Sequence, residues 1–235
     1  MKRGLWVGML PFYLLTAIIV IGICGGSSRA VEVSVARKPI ERGTCIVIDA
    51  GHGGVDGGAT SCTGVLESDL NLQIALRLEL LLELLGMQTW MIRRDDISVY
   101  TSGETIAQKK VSDLKERVRV VNSQEDAILV SIHQNTFPDN RWSGAQVFYT
   151  KNAQSRILAQ KLQAAFVMAL DPDSTRKAKV ATGVYLMEHI EATGVLIECG
   201  FLSNHEEEAK LRDEHYQQKI CCVIASCLSQ YLSNT

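Results

Sequence analysis

The sequence predicts an α/β fold: a single three-layer domain with a mostly parallel (mixed) central sheet flanked by helices. Short apolar segments alternate along the chain with longer segments of helical periodicity, which is the pattern of strands joined by crossover helices. The 235-residue chain is 46% hydrophobic and 21% charged. This composition supplies enough apolar side chains for a core and excludes a disordered or low-complexity chain.

Each predicted element follows from a local pattern. Strands are short apolar runs such as T-C-I-V-I-D, whereas helices have apolar residues three or four positions apart. Gly86 ends the first helix, and Asp171-Pro172 ends the third. In chain order the prediction is strand 44–49, glycine-rich loop 50–64, helix 66–85, strand 87–92, loop 98–110, helix 111–123, strands 127–132 and 145–150, helix 154–170, short strand 183–187, strand 194–197 and helix 216–232.

Three regions divide the chain. Residues 1–30 are an apolar segment that is free of charge between Lys2-Arg3 and its last residues, 31–43 are a mixed linker, and 44–235 hold the folded domain. A positively charged start followed by a long apolar run is typical of a signal anchor or a long signal peptide, and it predicts export of the rest of the chain. Cleavage after this segment stays an open alternative to anchoring in the membrane.

Charge and cysteine content exclude two classes of protein. The chain has 24 Lys and Arg against 26 Asp and Glu, a net charge of −2, so it lacks the basic balance of a nucleic-acid-binding protein. Its seven cysteines are an odd number without C-x-x-C spacing. We therefore predict that they are mostly core residues, not a disulfide scaffold or a metal site.

Three predicted strands carry a histidine or a glutamate at or just past their carboxyl ends, namely His52, His133 and Glu198. Ligands bind outside the carboxyl ends of strands in open α/β sheets, so these side chains are expected to converge. Glu67 joins them at the start of the first helix, where the glycine-rich loop ends. Two histidines and one glutamate suffice for a catalytic zinc ion with one position open to water. The other glutamate would then serve as the general base.

The three remaining histidines do not belong to this pattern. His189, His205 and His215 stand in charged segments, and we predict that they are solvated. The sequence also lacks the H-E-x-x-H motif of many zinc peptidases. The metal hypothesis therefore rests on the joint pattern of strand ends and not on one local motif.

Four motifs together resemble one family, the zinc-dependent N-acetylmuramoyl-L-alanine amidases with the amidase type-3 catalytic domain. They are V-I-D-A-G-H-G-G-x-D-x-G-A (47–59), G-V-L-E-S-D-L-N-L (64–72), S-I-H-Q-N (131–135) and I-E-C-G-F-L-S-N (197–204). The resemblance extends over roughly 44–232. It implies a peptidoglycan substrate and cleavage of the amide between the lactyl group of muramic acid and the L-alanine of the stem peptide.

The same resemblance implies roles for individual residues. It makes His52, Glu67 and His133 the ligands of one zinc ion per chain, and Glu198 the catalytic glutamate. The candidates for substrate contact are Asn135, the backbone of Gly53 and Gly54, and Arg117 or Arg119.

Two positions depart from the family pattern. Cys199 stands where relatives often have Thr or Val, and Gln134 stands where many have Ala. Neither change removes a predicted ligand, although we expect that Gln134 alters the wall of the pocket.

Three further segments are similar to the germination-specific amidases of the spore cortex: S-D-L-K-E-R (112–117), S-T-R-K-A-K (174–179) and V-Y-L-M-E-H (184–189). This similarity implies an exported enzyme, membrane-anchored or secreted to the cell wall or cortex space, that prepares muramic acid for lactam formation. No wall-binding repeat is visible in the sequence. An accessory protein that aids metal or substrate binding is therefore a further expectation.

Two alternatives stay open at this point. A zinc peptidase that cuts within the stem peptide would use the same ligands, and only the family resemblance favours the lactyl–alanine amide. A non-catalytic peptidoglycan-binding module would keep the fold. The presence of all four site residues argues against the second alternative.

Overall fold

In the computed structural model, which describes residues 43–234, strands alternate with helices as the sequence predicts. The elements are β1 (Cys45–Ala50), α1 (Glu67–Leu84), β2 (Gln88–Met91), α2 (Ile106–Asn122), β3 (Ala127–Asn135), β4 (Gln146–Tyr149), α3 (Ala153–Leu170), β5 (Lys179–Val180), α4 (Tyr185–His189), β6 (Thr193–Phe201), α5 (His205–Arg212) and α6 (Glu214–Leu232).

The strands form one six-stranded sheet in the order β2-β1-β3-β6-β4-β5. The first four of these strands are parallel to one another, whereas β4 runs antiparallel to β6 and β5 runs parallel to β4. The sheet is therefore mixed and mostly parallel, as predicted. Parallel β1, β3 and β6 bring their carboxyl ends to the same edge, which is where the predicted site residues lie.

Helices cover both faces of this sheet. Helices α1, α3 and α6 pack together on one face, against alternate strand residues such as Ile46 and Ile48. Helices α2 and α4 cover the other face, where Val47 and Leu129 belong to a second apolar cluster. Every residue of β1 is buried because both faces of a central parallel strand are covered. The three-layer prediction is confirmed.

The structure changes the type or the start of two predicted elements, lengthens two predicted strands and adds one helix. The short strand predicted at 183–187 is wrong, because Tyr185–His189 is a helical turn and the nearby strand is Lys179–Val180. Helix α2 begins at Ile106, inside the predicted loop 98–110, because the Thr105 hydroxyl and the Gln108 side chain form a capping box. Helix α5 was not predicted.

The predictions for the N-terminal 42 residues lie outside the described part of the chain. Export, the signal anchor and the linker therefore stay predictions. Between residues 43 and 234, no helix combines the length and the apolarity needed to cross a membrane.

The cysteines of the described region are free thiols. Cys45, Cys199, Cys221 and Cys227 are buried, which confirms the prediction for these four. Cys62 and Cys222 are exposed, so they are not core residues. Cys24 lies outside the described residues.

Candidate metal centre

His52, Glu67 and His133 come together at the carboxyl edge of the sheet. One donor atom from each residue lies within 4.8 Å of the other two. The Glu67 carboxylate lies between the imidazoles, with Oε1 2.9 Å from His133 Nδ1 and Oε2 3.3 Å from His52 Nε2. Two imidazoles and a carboxylate are a donor set suited to a divalent transition metal.

Neighbouring groups hold the Glu67 side chain in place. Glu67 is the first residue of α1, and its carboxylate accepts hydrogen bonds from the backbone N–H of Ala59 at 2.9 Å and of Gln134 at 3.2 Å. Burial alone would raise the pKa of Glu67, but the bonds to His133 and His52 outweigh it and hold that pKa well below its ordinary value. The carboxylate is therefore charged at neutral pH, as a metal ligand must be.

Glu198 lies beside this cluster in a different environment. It is the register partner of His133 in the parallel pair of β3 and β6, so the two side chains share a face of the sheet. Its Oε2 atom is buried and has no hydrogen-bond partner among the described residues. Burial raises the pKa of Glu198 to about 6, and the charge of Glu67 acts in the same direction. Two glutamates in one site thus have pKa values shifted in opposite directions, the arrangement expected of a ligand and an acid–base group.

Strands β3 and β6 extend further than predicted, to Asn135 and Phe201. His133 and Glu198 consequently lie within strands and not just past their ends. A strand position fixes the direction of each side chain more tightly than a loop position does. The structure thus brings together all four residues that the sequence singled out.

Close backbone approach explains two glycines of the first motif. A Cβ atom on Gly51 would lie 2.2 Å from Nε2 of His133, so only glycine lets this ring rest against the loop. Gly58 has φ +68°, and a Cβ there would lie 2.6 Å from the Glu67 carboxylate. His52 itself has φ +61°, a left-handed conformation that is uncommon outside glycine and that the surrounding contacts must maintain.

Two buried arginines supply those contacts. Arg117 donates hydrogen bonds to the Asp49 carboxylate and, at 2.7 Å, to the backbone carbonyl of His52. Arg93 donates to the carbonyls of Ala50 at 2.9 Å and Gly51 at 3.1 Å. The carbonyls on both sides of the turn at His52 are therefore held by guanidinium groups whose positions are fixed by burial.

These contacts and distances describe a candidate metal-binding site at the carboxyl edge of the sheet. The family of the protein is identified by its similarity to known proteins. A family model described as N-acetylmuramoyl-L-alanine amidase matches residues 46–230. The chain belongs to this family. The match includes all four site residues and the whole sheet except Cys45, and it confirms the prediction of an amidase.

Individual relatives agree with this assignment. The germination-specific N-acetylmuramoyl-L-alanine amidase of Bacillus subtilis (strain 168) is 37% identical over 193 residues, which are 81% of each protein. The amidase LytC of the same organism is 30% identical over 83% of this chain and 37% of LytC. Among solved structures, the CwlD amidase of Clostridioides difficile, determined in complex with the GerS lipoprotein, superposes with a TM-score of 0.78 at 37% identity. That superposition covers 81% of this chain and 99% of the CwlD chain, and it confirms the predicted fold class.

In this amidase, Asp56 orients His52 from the side away from Glu67. Its Oδ2 atom lies 3.0 Å from His52 Nδ1 and 3.1 Å from Nζ of Lys110. Burial lowers the pKa of His52, but hydrogen bonds and charge from Glu67 and Asp56 outweigh burial and raise it. A carboxylate on the far nitrogen of an imidazole fixes the tautomer and the ring orientation of a metal ligand.

Replacing Asp56 with alanine is expected to weaken metal binding by about 10- to 100-fold, because the His52 ring loses its orienting partner. Competition with a chelator of known affinity measures this change. The matched control is Glu125→Ala, which removes an exposed carboxylate at the opposite end of β3 from His133. Equal metal affinity in the Asp56 variant and the wild type would show that His52 is oriented without Asp56.

The structure narrows the candidates for substrate contact. Arg117 is buried, and its guanidinium group already donates a hydrogen bond to the carbonyl of His52. It is therefore not available for contact with a substrate. The amide of Gly53 donates to the carbonyl of Asp56, and the amide of Gly54 donates to the Asp96 carboxylate. These two amides are therefore not available to a ligand. Arg119 is exposed and paired with Glu116, and Asn135 is half-buried at the end of β3.

The two departures from the family pattern lie behind the site. Gln134 is buried and donates to Oδ1 of Asn71, and Cys199 belongs to the core beneath α1 and α6. Strand alternation points Cys199 away from its neighbour Glu198. Gln134 lies at a register shift of β3, and its partner Asn71 donates to Glu67 at 3.3 Å. The expectation that Gln134 alters the pocket wall stays a prediction. The exposed positions of His189, His205 and His215 agree with the prediction for these histidines.

Proposed function

We propose that this amidase binds one zinc ion through His52, Glu67 and His133 and cleaves the amide between muramic acid and L-alanine with Glu198 as its general base and acid. One observation carries the proposal: the three donor groups meet beside a buried carboxyl oxygen that has no partner in the described chain. An unpaired buried oxygen is costly unless a ligand or water occupies the space next to it.

The donor set fits zinc. Two histidines and one glutamate form a set of three protein ligands, as in many catalytic zinc sites. The carboxylate of Asp56 orients the imidazole of His52, and such a carboxylate–histidine pair is typical of zinc sites. When bound, zinc supplies Lewis acidity toward the amide carbonyl and a nearby water.

The protein's own contribution is proton transfer. With its pKa raised to about 6 by burial, Glu198 is mostly ionised at neutral pH yet readily protonated. It takes a proton from water as the oxygen attacks the carbonyl carbon. It then gives that proton to the alanine nitrogen as the carbon–nitrogen bond breaks. The products are a free lactyl carboxylate on muramic acid and a stem peptide with an amino-terminal alanine.

We further propose that the enzyme is exported, anchored or secreted, and acts on the spore cortex, where removal of the peptide precedes lactam formation. The 37% identity to a germination-specific amidase over most of both chains supports this role. The similarity to an amidase determined in complex with a lipoprotein supports an accessory protein as a partner. The apolar segment within residues 1–30 supports export.

Removal of the metal is expected to abolish release of stem peptides by the full chain, and one equivalent of zinc is expected to restore it. The measurement is hydrolysis of peptidoglycan after chelation and dialysis, followed by stepwise addition of zinc, with magnesium as the control ion. Undiminished hydrolysis by the metal-free protein would contradict the proposal. Restoration that needs magnesium and not zinc would contradict the choice of metal.

A further inference from the structure

An exposed aromatic pair lies in the loop between β3 and β4. Phe137 and Trp142 are 50% and 49% exposed, and their rings meet edge to face with centroids 6.1 Å apart. Adjacent aromatic rings with half their surface in solvent are a common mark of a binding surface.

The loop that carries this pair is fixed by the segment that follows Glu198. The amide of Phe137 donates to the Ser203 hydroxyl at 3.1 Å, and the Asn204 side chain donates to the carbonyl of Trp142 at 3.2 Å. The amide of Gly144 donates to the buried carboxylate of Glu207 at 2.8 Å. The aromatic pair is therefore held in position before any ligand arrives, which lowers the entropic cost of binding.

A cation completes the surface. The guanidinium of Arg176 lies 5.8 Å from the Trp142 ring centroid and 5.0 Å from that of Phe201. It also donates to the carbonyl of Ser143 at 3.0 Å. Arg176 thus supports one side of the tryptophan ring and leaves half of its surface exposed.

The pair is close to the metal centre. Phe137 follows His133 by four residues, so their Cα atoms are at most about 14 Å apart. The loop ends at Gln146, which is the register partner of Glu198 across the β6–β4 pair. The aromatic surface therefore lies along the Glu198 side of the site, between the strand of His133 and strand β4.

We propose that Phe137 and Trp142 bind the sugar rings of the peptidoglycan glycan strand. This inference rests on the proposed function, because the scissile amide is joined to the muramic acid ring through the short lactyl group. The muramic acid ring is only a few bonds from the scissile amide, so it must lie close to Glu198 when the amide is in the site. The neighbouring sugars of the glycan strand must then cross the rim of the site. Pyranose rings present apolar C–H faces that stack on aromatic side chains, while Arg176 is placed to meet the hydroxyl or carboxylate groups at their edges.

The test is binding of peptide-free glycan strands, alternating N-acetylglucosamine and N-acetylmuramic acid, to the zinc-loaded full chain by calorimetry. We expect Trp142→Ala to weaken binding about tenfold, which corresponds to about 1.4 kcal/mol, because the variant loses one aromatic contact with the sugar. Trp142→Phe should retain most of the affinity. The matched control is Trp90→Ala, because Trp90 is 50% exposed on β2 at the opposite edge of the sheet.

Equal glycan binding by the wild type and Trp142→Ala would overturn the assignment and favour a protein partner for this surface. An equal loss in Trp90→Ala, or no glycan binding by the wild type, would overturn it as well. The proposed function is measured separately as release of stem peptides. Trp142-dependent glycan binding without peptide release would reject the amidase mechanism and keep the glycan site.

Discussion

Replacing Glu198 with glutamine is expected to lower kcat for amide hydrolysis by about 10²- to 10⁴-fold, the usual contribution of general acid–base catalysis. The amide keeps the shape of the carboxyl but cannot accept the proton of the attacking water. Because His52, Glu67 and His133 are unchanged, the zinc content is expected to remain at the wild-type level. Elemental analysis and turnover should be measured on the same preparation.

The control for this variant is Glu191→Gln, which changes an exposed glutamate just before the start of β6. It should have wild-type turnover. Full activity in Glu198→Gln would reject the general-base assignment. Loss of zinc from that variant would make Glu198 a ligand instead, and the unpartnered Oε2 atom would then need the metal as its partner.

Replacing His52 with alanine is expected to remove the metal and, with it, all measurable activity. Its imidazole contributes one of three donor groups, and loss of a direct ligand should exceed the roughly 10- to 100-fold effect of losing an orienting residue. The two variants are expected to differ in zinc content. Glu198→Gln should retain zinc but lose turnover, whereas His52→Ala should lose both zinc and turnover.

The His52 variant has a matched control in His215→Ala, which removes an exposed histidine at the start of α6. Zinc content and thermal stability of both variants should be compared with the wild type. A folded His52→Ala protein with a normal zinc content would overturn the ligand assignment. Reduced zinc in His215→Ala would point to a non-specific effect of histidine loss.

Much of the fold was predictable because its strands are buried on both faces. Apart from Asp49, the central strand β1 consists of apolar residues, and Gly86 and Pro172 mark the ends of α1 and α3. The short elements were harder. The five residues of α4 are too few to show a helical period, so their apolar residues fit a strand equally well. Helix α5 had a visible signal in Asn204, which caps it, and in the acidic residues of its first turn.

Three of the four site residues, His52, His133 and Glu198, were predictable because the carboxyl ends of parallel strands converge whatever the loop details are. Glu67 was predictable from its place at the start of α1, where the glycine-rich loop ends. The buried arginines that hold the loop around His52 were not predictable from the sequence. Arg117 is 68 positions from Asp49, and Arg93 is 43 positions from Ala50. Nothing local in the sequence indicates that these pairs meet, and an arginine on an amphipathic helix is usually solvated. Asp56 differs, because its position four residues after His52 in the first motif was a signal that could have identified it as a neighbour, although it was not singled out.

The most direct test of the proposed reaction is mass spectrometry of the fragments that the zinc-loaded full chain releases from peptidoglycan. We expect stem peptides that begin with alanine, together with glycan strands whose muramic acid has a free lactyl carboxylate. Peptides that begin with any other residue would identify a peptidase instead. No release by a protein that holds one equivalent of zinc would contradict the proposed reaction.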